Sequence, residues 1–340
     1  MNWSLLTKPF RERTTTWAIA AILAFLLIVA MAKATSIGDL GITLLSGLFQ
    51  GMLLFLVASG LSIIFGLIDV LNLAQGSFFM IGAYVAYEVQ HPGGVIDVSA
   101  VIPDPNLRFP LAVIAAIGVG ALSGTALERG LLRPLYARPI FQLVMTFGVS
   151  LVIAEIVKLI WSTTPYSWTD LFGVRESAFE VFGQRFSTYR LFVVGMGAVL
   201  IISIGLLLRY TRIGIIIRAG VEDGQMVQAL GINVRAVFTL VFTLGCAVAA
   251  FGGAVAAPFL GASPSLAGSF LLQAIAVVVL GGMGSYGGTA VGSILVGLSI
   301  AVAQSAAVGT NFSALPSVTP MLLLVLVLLL RPSGLFGSVR

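Results

Sequence analysis

Arg209–Arg235, RYTRIGIIIRAGVEDGQMVQALGINVR, is a polar, charged island between two long apolar runs, Leu191–Leu208 and Ala236–Leu260. Its middle, 221–231, predicts a short helix. Glu222 and Asp223 sit where the positive end of a helix dipole favours acids. Gly231 follows Leu230 as a left-handed stop, and Ile232 can fold back onto Val227 in a Schellman closure. Met226, Val227, Ala229 and Leu230 give this helix one apolar side, with Gln225 and Gln228 off it. A helix of about ten residues is marginal alone in water, so it needs a surface to pack on. With Arg209, Arg212, Arg218 and Arg235 around it, the bilayer is a poor one. Two readings stand: an ordinary basic cytoplasmic loop, or a docking helix for a soluble partner.

The runs that flank the island set the fold class. Of 340 residues, 59% are hydrophobic and only 9% charged, with a mean hydropathy of +1.09. Soluble domains carry about 25% charged residues. The chain therefore reads as an all-α, polytopic transmembrane helical bundle, one transmembrane domain over 1–340. The runs are too long and continuous for a membrane barrel. Cys246 is the only cysteine and His91 the only histidine. That removes disulfides, Cys or His metal clusters and Ser-His triads, so no metal and no cofactor is expected. No GxxxxGK[ST] phosphate loop is present either, so the chain supplies no ATP site. The first apolar run, Trp17–Met31, is followed by Lys33 and reads as an N-terminal anchor span over 14–33.

Ten apolar segments fall at 15–32, 42–66, 68–87, 109–127, 140–161, 190–208, 236–259, 268–282, 287–306 and 317–330. Spanning takes about twenty residues, so the short eighth and tenth bring the count to about 8–10 spans. With the N-terminus inside, twelve basic residues lie on the inner segments and six on the outer side with its adjoining helix ends, which accounts for all 18. Both termini and the island are then cytoplasmic. Two outer loops, Glu88–Arg108 and Trp161–Arg190, are long enough to have structure of their own.

Polar residues also stand where lipid would be. Gly60–Tyr87, GLSIIFGLIDVLNLAQGSFFMIGAYVAY, holds Asp69, Asn72 and Gln75 among helix-breaking glycines. Val279–Gly292, VLGGMGSYGGTAVG, clusters Gly281, Gly282, Gly284, Gly287 and Gly288. Broken helices at membrane depth are tolerated where they line a cavity or are buried in protein. On the first alternative, Asn72, Gln75, Gly76, Gly281, Gly282 and Gly284 border a translocation path. On the second, the glycines are close-packing helix contacts. Asp69 is expected at the cytoplasmic interface. Glu155 and Lys158, three residues apart in the fifth span, read as a mutually neutralising structural pair. No clean internal repeat is legible; Leu44–Gly82 and Leu266–Gly297 are a faint echo of each other.

Three motifs, GLSIIFGLIDVLNLAQG, RAGVEDGQMVQALGINV and RPSGLFG, resemble membrane subunits of the bacterial branched-chain amino acid ABC importers. ALERGLLRPLY, Ala126–Tyr136, is similar to the first large cytoplasmic loop of that family. The resemblance runs from about Leu44 to Gly337 and is to the first of two permease types. It implies a coupling helix seated on an ATP-hydrolysing subunit, with Arg218, Ala219, Glu222, Asp223, Met226, Ala229, Leu230, Gly231 and Ile232 on the coupling segment. It also implies a second, different permease, two ATP-binding subunits and a periplasmic solute-binding protein, all at a bacterial inner membrane. Members often have His where this chain has Gln75, so a His-dependent role is not carried over. The expected function is a non-catalytic permease for a small polar solute, with branched-chain amino acids first. Urea, short amides or another amino acid are the alternative cargo. A stand-alone secondary transporter or channel would need more charge inside the spans, and a scaffold would leave the docking helix unexplained.

Overall fold

The computed structural model describes residues 4–33, 36–92, 98–136, 138–168, 177–181, 184–222, 224–308, 310 and 312–337. Twelve α-helices are described: α1 Ser4–Lys33, α2 Ile37–Ile68, α3 Gln75–Gln90, α4 Pro105–Leu127, α5 Pro139–Trp161, α6 Thr188–Tyr210, α7 Arg212–Glu222, α8 Gly224–Ala229, α9 Val234–Leu260, α10 Leu266–Gly281, α11 Tyr286–Ala307 and α12 Leu315–Leu330. Short polar side chains open several of them. Ser36, Asp104, Asn233 and Ser285 each accept from a backbone N–H in the first turn of α2, α4, α9 and α11. Between α5 and α6, strands β1 Ala178–Val181 and β2 Gln184–Ser187 form an antiparallel hairpin, and Tyr166 bridges Ala262.

Among the described residues six helices are long and apolar enough to cross a membrane, and Ile19–Lys33, Leu266–Gly281 and Leu315–Leu329 are shorter apolar ones. The chain is a multi-pass, all-α membrane protein. The eighth and tenth apolar segments are short helices, as expected. The third departs from expectation: α3 begins only at Gln75, after six non-helical residues, 69–74. Asp69 adopts φ 54 as the C-cap of α2 and remains exposed there. The chain then turns inward, and Val70, Asn72 and Ala74 are buried.

Neighbouring side chains fix the sense of each helix. Leu56 lies beside Gly252 and Gly60 beside Gly245, so α2 and α9 are antiparallel. Gln75 meets Gly245 and Gly82 meets Ala250, so α3 runs with α9. Gly120 beside Ala250 and Gly124 beside Cys246 make α4 antiparallel to α9. Leu73 and Glu88 meet Thr146 and Trp161, so α5 runs with α3. Ser62 on Thr289 and Gly47 on Leu298 make α11 antiparallel to α2. Helices α2–α5 and α9–α12 are thus two units with the same order: long helix, elbow, 16-residue helix, two more helices. They run in opposite senses, as an inverted pair. The two 16-residue helices meet by their first turns: Gly76 packs on Ala267, and the Phe79 and Phe270 rings are 4.9 Å apart. The faint echo between Leu44–Gly82 and Leu266–Gly297 is out of register with this repeat, which pairs α3 with α10.

In lipid no hydrophobic drive brings helices together, so small residues that let backbones approach take over. A Cβ at Gly60 would strike the Gly245 carbonyl, and one at Gly82 the Ala250 carbonyl. One at Gly297 would strike the Gly51 backbone. The central helices α2 and α9 are held this way, and Cys246 is a free thiol buried between them and α4.

Candidate functional site

The island carries two helices where one was expected. Thr211 makes the first: its hydroxyl accepts from Gly214 N at 3.1 Å, capping α7 as the chain leaves α6. Asp223, and the side chains of Arg218 and Glu222, lie outside the described residues. Ala219 is half-buried and Ile217 is buried. The second helix, α8, has six residues, and its closure matches the sequence reading. Ile232 N donates to Val227 O at 3.2 Å, Gly231 N donates to Gln228 O at 2.9 Å, and Gly231 takes φ +80. These two bonds are a Schellman motif, which satisfies carbonyls that a helix end leaves open.

The apolar side of α8 is divided between two surfaces. Val227 is buried, and Ile232 is half-buried against the core. Met226 and Leu230 are 63% and 71% exposed, although four residues apart on one face. The helix therefore exposes two apolar side chains next to each other, a two-residue apolar knob.

Directly behind the island, sequence reasoning missed a buried carboxylate. Glu128 has no exposed surface and opens a π-helical turn, Glu128–Leu132, at the end of α4. Such turns recur at functional sites. Thr239 donates to its Oε2 at 2.6 Å and Tyr136 to its Oε1 at 2.7 Å. Burial first, and then the bond to Glu128, hold the Tyr136 phenol well above its ordinary pKa, so it stays a donor. Thr239 stands in the second turn of α9, immediately after the island. The signal available was an acid at the end of an apolar span, followed eight residues later by a tyrosine.

The elbow residues hold one another. Asn72 Nδ2 donates to Gln75 Oε1 at 3.2 Å, Asn72 Oδ1 accepts from Ala74 N, and Gln75 Nε2 donates to Gly245 O at 3.0 Å. Asn72 and Gln75 have no exposed surface, and a Cβ on Gly76 would strike the Ala267 carbonyl. In this chain alone they are a packed joint between α2, α3 and α9.

The second glycine cluster receives the chain's last described segment. Leu335 N donates to Leu280 O at 2.9 Å and Phe336 N to Gly281 O at 3.0 Å. Gly282, at φ +103, lies against Gly337, and Gly281 packs on Gly288. The RPSGLFG motif is therefore a strap across this break. Gly284, at φ +89, is exposed and shares a cavity of about 310 Å³ with Gly66 and Asp69.

The whole arrangement matches known transport proteins in sequence. The chain is 28% identical over 296 residues to the high-affinity branched-chain amino acid transport system permease protein LivH of Salmonella typhimurium, covering 86% of this chain and 94% of that one. The LivH protein of Escherichia coli K12 is 28% identical over 298 residues, with the same coverage. The permease protein BraD of Pseudomonas aeruginosa is 29% identical over 304 residues, again covering 86% and 94%. No solved structure matches. Residues 43–330 match the family of the branched-chain amino acid transport system permease component, and the chain belongs to that family.

Proposed function

We propose that this chain is one permease subunit of an ABC importer that takes up branched-chain amino acids across a bacterial inner membrane. Its non-catalytic role is to form half of the path, while separate subunits bind and hydrolyse ATP. The remaining parts are a second, different permease, two ATP-binding subunits and a periplasmic solute-binding protein. Both termini and the 209–235 segment face the cytoplasm, in keeping with the twelve-to-six distribution of basic residues.

The observation that carries this reading is the exposed Met226–Leu230 knob on a helix stopped by Gly231 and anchored through Val227. Arg218, Ala219, Glu222, Asp223 and Ile232 complete the coupling segment around it. A nucleotide-driven subunit that grips this knob pulls on α9, and through Thr239 and Glu128 on the end of α4. The elbow of Asn72, Gln75 and Gly76 and the break at Gly281, Gly282 and Gly284 act as joints behind the wall of the path. They lie where two opposed units meet and can shift against each other, as inverted repeats do around a transport site.

Purification of the tagged chain with its co-expressed neighbours, followed by reconstitution in liposomes, tests the assignment. ATP-dependent leucine uptake that requires the binding protein is the expected result. Uptake of urea or a short amide in place of leucine would overturn the cargo. Uptake without any ATP-binding subunit would overturn the class.

A further inference from the structure

Helix α5 is the long spanning helix that the bundle covers least, with 11% of its most apolar window buried. It rests on α3 along one stripe, through Thr146 on Leu73 N, Ser150 on Ser77 and Trp161 on Glu88. Its other face carries Leu151, Val152, Ile156 and Leu159, exposed by 47–85%. Among these aliphatic residues stand Glu155 and Lys158. Lys158 Nζ donates to Glu155 Oε1 at 2.6 Å, and the side chains are 67% exposed for Glu155 and 34% for Lys158. Among the described residues this is the one ion pair.

The depth of the pair decides what can lie against it. A 23-residue helix is about 34 Å long, against a hydrocarbon core of about 30 Å. With α5 centred in that core, Glu155, about 9 Å from the helix end at Trp161, lies about 7 Å inside it. Charged side chains at such depth face water or protein, since lipid strongly disfavours them. A sealed protein interface would have to supply every remaining hydrogen bond of both charges. A wet path supplies them without such matching.

We propose that this face of α5 lines the translocation path, and that the Glu155–Lys158 pair opens to receive a zwitterionic amino acid. Glu155 accepts from the substrate ammonium and Lys158 donates to its carboxylate, with the branched side chain against Val152 and Ile156. Empty, the two charges neutralise each other; loaded, each is neutralised by the substrate, so net charge stays zero throughout. A lone cation or anion would leave one of the pair unmatched, which selects for zwitterions. The proposal rests on the reading of the chain as an amino acid permease.

The test uses the complete reconstituted importer. Glu155→Gln/Lys158→Gln keeps size and removes both charges. Leucine uptake should fall at least about tenfold, the loss of one charge-assisted hydrogen bond, while ATP hydrolysis stimulated by the binding protein stays within about twofold. In a second variant, Val152→Cys, a water-soluble thiol reagent should label position 152, and leucine should slow the labelling. Cys246 is buried and stays in place. Uptake by the double variant close to wild type, or a thiol at position 152 that no water-soluble reagent reaches, would overturn the proposal. Should the double variant fail to assemble, the labelling result decides alone. Absence of leucine uptake in the unaltered importer would instead count against the permease reading itself.

Discussion

Thr239 Oγ1 donates to Glu128 Oε2 at 2.6 Å across the junction of α9 and α4. The bond joins the first full turns after the island to the π-helical end of α4. With Tyr136 on the other oxygen, the carboxylate is satisfied by hydroxyls although it has no exposed surface. Any displacement of the island that moves the base of α9 reaches α4 through this contact, because an unmade bond to a buried carboxylate is costly.

Thr239→Val keeps the volume and deletes the donor. It should cost about 1–3 kcal/mol, the desolvation penalty of the oxygen left unpaired. Uptake per ATP hydrolysed should fall severalfold, with the ATP-binding subunits still attached. Glu128→Gln should act in the same direction, since its amide nitrogen would face one of the two donors. Transport stoichiometry in liposomes and the melting temperature of the purified complex measure both effects. An unchanged stoichiometry in both variants would leave Glu128 with a purely local role.

The glycines separate into two kinds. A Cβ at Gly76 would meet the Ala267 carbonyl, and one at Gly60 both Gln75 Nε2 and the Gly245 carbonyl. Gly118 and Gly287 have nothing within 4 Å of that position. Gly60→Ala and Gly76→Ala should therefore each destabilise the bundle by about 1–3 kcal/mol or more, and Gly118→Ala and Gly287→Ala should be neutral. Thermal unfolding in detergent ranks the four. Equal melting temperatures would show that the backbones separate freely at the elbow.

Much of this fold was legible because each spanning segment is locally written. Apolar runs located the long helices, and Leu230-Gly231-Ile232 announced its own Schellman closure. The short α3 was not, because Val70, Leu71, Leu73 and Ala74 continue the apolar pattern through residues that are unwound. That elbow is held by the carbonyl of Gly245, 170 residues away. The inverted pairing of α2–α5 with α9–α12 left no sequence trace for the same reason, since it lives in opposed helix directions. Helix α7 is not legible because its cap, Thr211, stands between Arg209 and Arg212 in a stretch that reads as a charged loop. Glu128 stands out only in three dimensions, where Thr239 and Tyr136 close on it.

Two exposed positions test the orientation. Val101, 81% exposed before α4, and Leu230, 71% exposed on α8, should label from opposite sides of the membrane when replaced singly by cysteine. In sealed right-side-out vesicles an impermeant maleimide should modify the Val101→Cys variant at once and the Leu230→Cys variant only after permeabilisation. Labelling of the Leu230→Cys variant from outside would overturn the scheme of basic residues.

The coupling role proposed for α8 can be tested through the geometry of its end and the exposure of Met226 and Leu230. Gly231 holds φ +80, a region that costs a residue with Cβ about 1 kcal/mol or more. Nothing lies within 4 Å of the position that Cβ would take, so the cost of Gly231→Val is conformational and local to the loop. That variant should preserve the bundle and misdirect the knob, lowering attachment of the ATP-binding subunits or the stimulation of hydrolysis by the solute-loaded binding protein. Met226→Asp leaves the backbone alone and places a charge on the exposed apolar face, with the same expected outcome by a different route. Gln228→Ala, exposed and off that face, should change neither quantity. Co-purification and stimulated hydrolysis, compared for the three variants in membranes, make the test. If Gly231→Val and Met226→Asp both retain full attachment and normal stimulation, the island is an ordinary basic loop and the energy of ATP enters the permease elsewhere.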